Sequence, residues 1–359
     1  MKKLFAILLA VAMLFTFGCG NKSDKGSDAN VDKKDNAEST ESVDYSNVKV
    51  GMVTDEGGVN DQSFNQSGWE GLQQLGKDTK INVSYVESHI PSDYAPNFQA
   101  MLEAENGLIW GVGFKLEKDL TAAAAANPDT KYALIDSVSS NPDLKNVVNC
   151  VFKDNEPSFL VGYIAGKMTE TDKVGFVGGI EGDVIWAFEY GYRAGVQYAA
   201  KELGKEIEVE VQYADSFTDA TKGKAIAKKM YEGGADIVFH AAGGVGDGVI
   251  EAAREADKKV IGVDRDQNYI APDHVITSTI KNVGVAMYDI SKEFAEGKFE
   301  AKTVEFSLAN NGVDIAPTSD KHVPADVLEE VEKLKENIVN GDIKVPNNEE
   351  SYEEYIKSL

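Results

Sequence analysis

The feature that most restricts this chain is an alternation. From residue 48 onward, short continuous apolar runs take turns with longer stretches of helical period. The apolar runs fall at 48–54, 81–86, 108–112, 132–136 and 147–152, then at 173–177, 207–213, 237–241, 260–264 and 275–279. Helical patterns occupy 62–76, 94–105, 116–126, 156–168, 184–203, 219–232 and 247–257. A strand that is apolar along its whole length is buried on both faces, which happens when helices cover both sides of a parallel sheet. The expected fold class is therefore α/β and doubly wound.

A weak internal repeat divides that fold in two. Lys49-Val-Gly-Met-Val and Lys173-Val-Gly-Phe-Val lie 124 residues apart, and the same offset pairs Phe64 with Phe188, Gly71 with Gly195 and Gln73 with Gln197. Leu134-Ile135-Asp136 and Gly262-Val263-Asp264 lie 128 apart, each ending a strand with a carboxylate. Two lobes of like topology follow. Open α/β sheets bind ligands beyond the carboxyl ends of their strands. Two facing lobes would bring Asp55 to Asn65, Trp110 to Phe114, Asp136, Val184 to Phe188, Gly243 to Gly246 and Asp264 to one cleft.

Ahead of this body, Lys2 and Lys3 precede an apolar run over 4–17 that is too short to span a bilayer. It ends Thr16-Phe17-Gly18-Cys19, which resembles a bacterial lipoprotein signal, although Thr16 stands where such signals carry Leu. The expectation is a signal peptide over 1–18, lipidation of Cys19 and a flexible tether over 19–46. Residues 20–46 are Ser-, Asp-, Asn- and Lys-rich and nearly free of large apolar side chains. As a coil they reach about 30 Å. An ordinary secretory signal with an incidental Cys is the alternative. With 36 basic and 60 acidic residues the net charge is −24, and it becomes −26 when Lys2 and Lys3 leave with the signal. Nucleic acid is an unsuitable partner, because phosphate must be neutralised by Lys and Arg. Two Cys exclude a disulfide framework; with no CxxC and no HExxH, neither a metal nor any other cofactor is expected.

The segment Gly51-Met-Val-Thr-Asp-Glu-Gly-Gly-Val-Asn-Asp-Gln-Ser-Phe-Asn-Gln-Ser-Gly-Trp-Glu-Gly-Leu resembles the opening of the basic membrane protein family, the Bmp/Med/PnrA-like nucleoside-binding lipoproteins of ABC transporters. Trp186-Ala-Phe-Glu-Tyr-Gly-Tyr-Arg-Ala-Gly-Val is similar to that family's second-lobe helix, and Val260-Ile-Gly-Val-Asp264 to its last ligand strand. The resemblance implies a periplasmic-binding-protein type I architecture with a hinge and an interlobe cleft. It also implies a purine nucleoside ligand (inosine, guanosine or adenosine), ABC permease subunits as partners, lipid attachment to the cell membrane and no enzymatic activity. By the same resemblance Phe64 and Phe188 stack on the base, and Asn60 and Asp61 meet its edge. Asp55 and Asn65 belong to the same loop, with Asp55 ordering it or touching the base. Asp136 and Asp264 take ribose hydroxyls, Gly243 and Gly244 admit the sugar to the backbone, and Lys281 donates to the ligand. Three crossings between lobes are implied, placing lobe one at 47–153 and 280–302, lobe two at 154–279 and 303–330, and a tail over 331–359 that returns to lobe one. The acidic charge departs from the family's name.

The physics of the residues is compatible with that ligand. Opposed aromatic rings suit a flat base, and a carboxylate suits a diol while repelling phosphate. Replacing either Phe by Ala is then expected to weaken binding with little loss of stability. Other readings stay open on the residues alone. Phe64 could be a helix core residue, Asp136 and Asp264 could be helix N-caps, and Asp61 with Ser63 could cap the 62–76 helix. Trp110 and Trp186 suit a core or cleft wall, and Cys150 a buried position in a strand. A sugar or signal-molecule binder of the same fold, or a nucleoside-processing enzyme, are the alternative functions.

Overall fold

The computed structural model describes residues 44–359; the expected signal peptide, Cys19 and most of the tether lie outside the described residues. The first half of the body runs β1 (Lys49–Thr54), α1 (Phe64–Thr79), β2 (Asn82–Val86), α2 (Tyr94–Glu103), β3 (Leu108–Val112), α3 (Glu117–Ala126), β4 (Lys131–Ile135) and β5 (Val147–Phe152). There follow α4 (Asn155–Met168), β6 (Lys173–Gly178), α5 (Asp183–Leu203), β7 (Glu208–Tyr213), α6 (Ala220–Glu232), β8 (Ile237–Ala241), α7 (Val245–Ala256), β9 (Lys259–Gly262) and β10 (Val275–Lys281). The chain closes with α8 (Val283–Ala295), β11 (Thr303–Phe306), β12 (Val313–Ile315), α9 (Ala325–Val339) and α10 (Glu349–Ser358).

These strands form two six-stranded sheets, ordered β11-β5-β4-β3-β1-β2 and β12-β10-β9-β8-β6-β7. Every pairing is parallel except that of β12 with β10. The central strands β3 and β8 are buried at all positions, whereas the edge strands β2 and β7 are only partly buried. Helices on both faces account for that difference and for the apolar runs in the sequence. No helix among the described residues is long and apolar enough to cross a membrane.

The chain passes between the sheets three times, after β5, after β10 and after β11. Two expected boundaries need correction. β11 was assigned to the second lobe, but it completes the first sheet by pairing with Asn149–Phe152 of β5, and β10 belongs to the second sheet through Lys281. The reason is local: β5 would otherwise present an unpaired edge, and Phe306 stacks on Phe152 at 4.8 Å with the rings 18° apart. The 331–359 tail does not return to the first lobe. Val327, Val331, Leu334 and Ile338 bury one stripe of α9 in the core that α4 and α5 build, and Tyr352 and Tyr355 of α10 pack against it. Arg193 of α5 fixes α10 from below, its guanidinium 4.4 Å from the Tyr352 ring and 5.1 Å from Tyr190.

The repeated glycines have a packing role. A methyl group on Gly71 would stand 2.2 Å from the Gly284 carbonyl of α8, and one on Gly195 would stand 2.0 Å from the Phe159 carbonyl of α4. Each glycine lets a neighbouring helix approach at backbone distance, once per lobe. Gly195→Ala is expected to lose about 1–3 kcal/mol of stability through overpacking, read from its urea midpoint, with nucleoside affinity little changed.

Candidate functional site

Strand order lays out the cleft. The crossings leave from β5, β10 and β11, so these strands mark the hinge edge. Moving away from them in the first sheet, β4 delivers Asp136, β3 delivers Gly113 and β1 delivers Asp55. In the second sheet β10 ends at Lys281, β9 leads to Asp264 and β8 to Gly243. With adjacent strands about 4.8 Å apart, Asp55 lies roughly 14 Å from β5.

These residues line one narrow cavity of about 60 Å³ that is partly open to solvent. Asp55, Asp61, Phe64, Asn65, Asp136, Phe188, Gly243, Asp264 and Lys281 all line it. Asn60 is exposed and Gly244 stands behind Gly243; neither reaches the cavity wall.

The hinge end is a buried charge cluster. Lys281 Nζ donates to Asp136 at 2.8 Å and to Asp154 at 3.0 Å, and each of these three side chains is at most 6% exposed. The ammonium also stands 5.4 Å from the Phe64 and Phe188 ring centres and 5.0 Å from Phe152. Burial acts to lower the Lys281 pKa, but the Asp136, Asp154 and Asp264 carboxylates outweigh it and hold it above the ordinary lysine range. Burial raises both Asp136 and Asp154, against the pull of Lys281. One proton of the ammonium and Asp136 Oδ1, which has no partner among the described residues, remain free for a ligand. Asp264, pushed up to about 6 by burial, accepts a short hydrogen bond from Ser63 Oγ of the facing lobe.

Asp136 and Asp264 share a backbone conformation: both have φ of 67°, the left-handed region that Asp tolerates better than most residues. The same turn follows the same strand in each lobe. Neither side chain caps a helix, since the following helices begin further on. Gly113 is a true glycine requirement because its φ of 116° is a backbone conformation that side chains rarely adopt; a methyl group there would make only ordinary contacts, 3.4 Å from Asp55 Oδ2 and 3.6 Å from the Phe64 ring.

The outer end is a hydrogen-bonded loop. Asp61 Oδ1 accepts from the Ser63 and Gln66 amides, and its Oδ2 from the Asn65 amide and Asn65 Nδ2. Asp61 therefore orders the start of α1, as its capping alternative anticipated. Asn65 Nδ2 also donates to Asp55 Oδ1 at 2.8 Å. The lobes touch around this end. Arg265 makes a bidentate pair with Glu70 at 3.1 and 3.2 Å, Gln267 Nε2 donates to the Gln62 carbonyl, and Phe114 meets Phe217 edge-on.

Asp154 and Phe217 escaped the sequence reading, and Ser63 entered it only within the cleft loop and as a helix cap, not as the partner of Asp264. Asp154 sits in a helix start, Lys153-Asp154-Asn155-Glu156, that looks like any other. Ser63 stood inside the Asp-Gln-Ser-Phe-Asn block, and its neighbours were a signal that could have placed it among the site residues. Trp110 is core, its Nε1 donating to Ser291, and Cys150 is buried in β5.

Residues 48–349 match the model of the Bmp family, described as ABC transporter substrate-binding protein, PnrA-like. This chain belongs to the Bmp family. The ABC transporter nucleoside-binding protein BmpA of Lactococcus lactis is 42% identical over 84% of this chain and 89% of its own length. Basic membrane protein A of Borreliella burgdorferi is 37% identical over the whole of both chains. A crystal structure of ABC transporter solute-binding proteins from Aeropyrum pernix K1 superposes with a TM-score of 0.79 at 27% identity, covering 87% of this chain and 97% of that one. Bmp proteins are extracytoplasmic substrate-binding components of ABC transporters, not enzymes, and the two-lobed fold of this chain is theirs.

Proposed function

We propose that this Bmp protein captures purine nucleosides between its lobes and presents them to the permease subunits of an ABC transporter, tethered to the cell membrane by lipid on Cys19. The observation that carries the ligand class is the pairing of Phe64 and Phe188. They come from opposite lobes, each ring centre lies 5.4 Å from Lys281, and both line one cavity. A purine ring held there gains stacking on two faces, about 1–3 kcal/mol per contact. The hinge end suits the ribose. Asp136 and Asp264 accept from the diol, and Lys281 donates to a ring or hydroxyl oxygen. A phosphate in the same place meets three buried carboxylates and one ammonium, which favours nucleosides over nucleotides. The L. lactis relative's description as nucleoside-binding supports the same class. Binding stabilises the closed arrangement, because the ligand contacts both lobes at once.

Asp264→Asn keeps the shape of the side chain and removes its charge. Inosine affinity is expected to fall by about 1.5–3 kcal/mol, the scale of hydrogen bonds to charged groups, measured by isothermal calorimetry. Unchanged affinity would remove Asp264 from the sugar site. Mass spectrometry of ligand released from the denatured protein tests the ligand class directly; a free sugar in place of a nucleoside would overturn it.

A further inference from the structure

Gln267 is 1% exposed and does not line the cavity, yet it joins the two lobes. The orientation of its amide is set by its neighbours. Oε1 accepts from the Val263 amide at 3.0 Å, so Nε2 is the atom that faces the first lobe, where it donates to the Gln62 carbonyl at 3.2 Å. The main chain is anchored as well. The Gln267 amide donates to Ser278 Oγ of β10 at 3.2 Å, and a methyl group on Gly262 would stand 2.6 Å from Oε1. The side chain is thus clamped by its own lobe, with its N–H directed at the other.

The acceptor is prepared in the same way. Gln62 has φ of 52°, uncommon for a residue with a Cβ. Its amide donates to Gln66 Oε1 at 3.1 Å, and the next amide, that of Ser63, to Asp61 Oδ1 at 3.0 Å. The Ser63 N–H and the Gln62 carbonyl belong to one planar peptide and point in opposite directions. With the N–H turned inward to Asp61, the carbonyl is turned outward to the second lobe.

The internal repeat separates the two roles open to Gln267, building a turn and bridging the lobes. Asp136 and Asp264 share a φ of 67°, and three positions on stand Ser139 in the first lobe and Gln267 in the second. Ser139 bonds within its own lobe, to Thr121, Asn141 and Asn149. The turn therefore forms without a long amide, and what Gln267 adds is reach. We propose that Gln267 and the Gln62 carbonyl form a preset closure latch, in which Gln267 is a positioning residue that touches no ligand and slows its release by holding the lobes together. Both halves are ordered before the lobes meet, so closing the latch costs little side-chain entropy. The bond is neutral, unlike the neighbouring Arg265–Glu70 pair, and salt does not screen it.

The test follows inosine association and dissociation on the whole chain by stopped flow at pH 8; inosine serves as probe on the strength of the nucleoside reading. Gln267→Glu keeps an acceptor for the Val263 amide and, once ionised, sets a second acceptor against the Gln62 carbonyl. Its dissociation rate is expected to rise roughly tenfold, the upper end of what one hydrogen bond carries, with the association rate and the ligand-free unfolding midpoint near wild type. Because the acceptor is main chain, the conformation at position 62 matters more than its side chain. Gln62→Asn, which tolerates the left-handed region, should release inosine at close to the wild-type rate, and the β-branched Gln62→Val should release it as fast as Gln267→Glu does. Both substitutions remove the long Gln62 contacts to Asp247 at 3.5 Å and Tyr269 at 3.4 Å, so their difference isolates the carbonyl. Gln267→Glu combined with Gln62→Val should be no worse than either alone. An unchanged dissociation rate in Gln267→Glu, or equal effects of Gln62→Asn and Gln62→Val, overturns the latch while the nucleoside reading stands. If wild type binds no inosine, the nucleoside reading has failed, and the distance between labels on the two lobes of the ligand-free chain decides the latch: Gln267→Glu should lengthen it, and no change overturns the inference.

Discussion

Replacing Lys281 by Met is expected to lose about 3–5 kcal/mol of folding stability at neutral pH, the scale for removing one partner of a buried ion pair. The loss is large because Asp136 and Asp154 stay behind, buried, with no other cation within hydrogen-bonding distance among the described residues. The loss also depends on pH with a definite sign. An unpaired buried carboxyl has its pKa raised further above the unfolded value near 4, so the folded state binds more protons than the unfolded one. Stability then rises as pH falls. The deficit should therefore be largest at pH 8 and shrink steadily toward pH 5, measured as urea midpoints across that range. A deficit independent of pH would mean that Lys281 acts through packing against Phe64, Phe152 and Phe188 rather than through its charge.

The two aromatic walls of the cavity should respond differently to truncation. Phe188 is 3% exposed and belongs to the second lobe's core, its ring centre 6.4 Å from that of Phe239. Phe188→Ala is expected to lose about 3–5 kcal/mol of stability whether or not nucleoside is present. This corrects the expectation that either ring could be removed without unfolding cost: α5 enters the cleft as part of a packed core, so its ring serves both. Phe64 is half-buried at the first position of α1, and Phe64→Ala should leave the ligand-free midpoint near wild type while weakening nucleoside binding by about 1–3 kcal/mol. Thermal unfolding with and without inosine separates the two. Wild type should gain about 2.7 kcal/mol at a ligand concentration one hundred times its dissociation constant, and Phe64→Ala should lose most of that gain. If Phe64→Ala unfolds early but keeps the gain, its ring is core and the base lies elsewhere.

The sequence carried much of the fold because periodicity is a local property. The runs at 108–112, 147–152 and 237–241 coincide with β3, β5 and β8, whose side chains are mostly buried. β11 was misassigned because four residues on a sheet edge, alternately exposed and half-buried, carry too little pattern to say which sheet they join. The tail was misplaced for a related reason: its apolar stripe announces a partner face without naming it. Strand-end carboxylates were visible as a repeat, and the loop after β1 as a motif. Which of these polar atoms face the cavity was not visible. The saturation of Asp61 depends on local geometry that composition does not encode. The pairing of Lys281 with Asp154 joins residues 127 positions apart, and nothing in either neighbourhood points to the other.

The placement of the Lys281 cluster at the hinge edge has a kinetic consequence. When two lobes rotate about a hinge, displacement grows with distance from the axis. Lys281 and Asp154 stand beside two of the three crossing segments and move least, so the hinge end of the cleft stays assembled while the lobes are apart. The outer end, where Arg265 meets Glu70 and Gln62 meets Gln267, comes apart first and forms last. An arriving nucleoside in the proposed orientation docks its sugar on a ready-made surface and has its base enclosed afterwards. Association rates should thus be similar for nucleosides that share the ribose, and differences among bases should appear as differences in residence time. For a protein that must surrender its cargo to a permease, release is then governed by the end of the cleft that opens most easily.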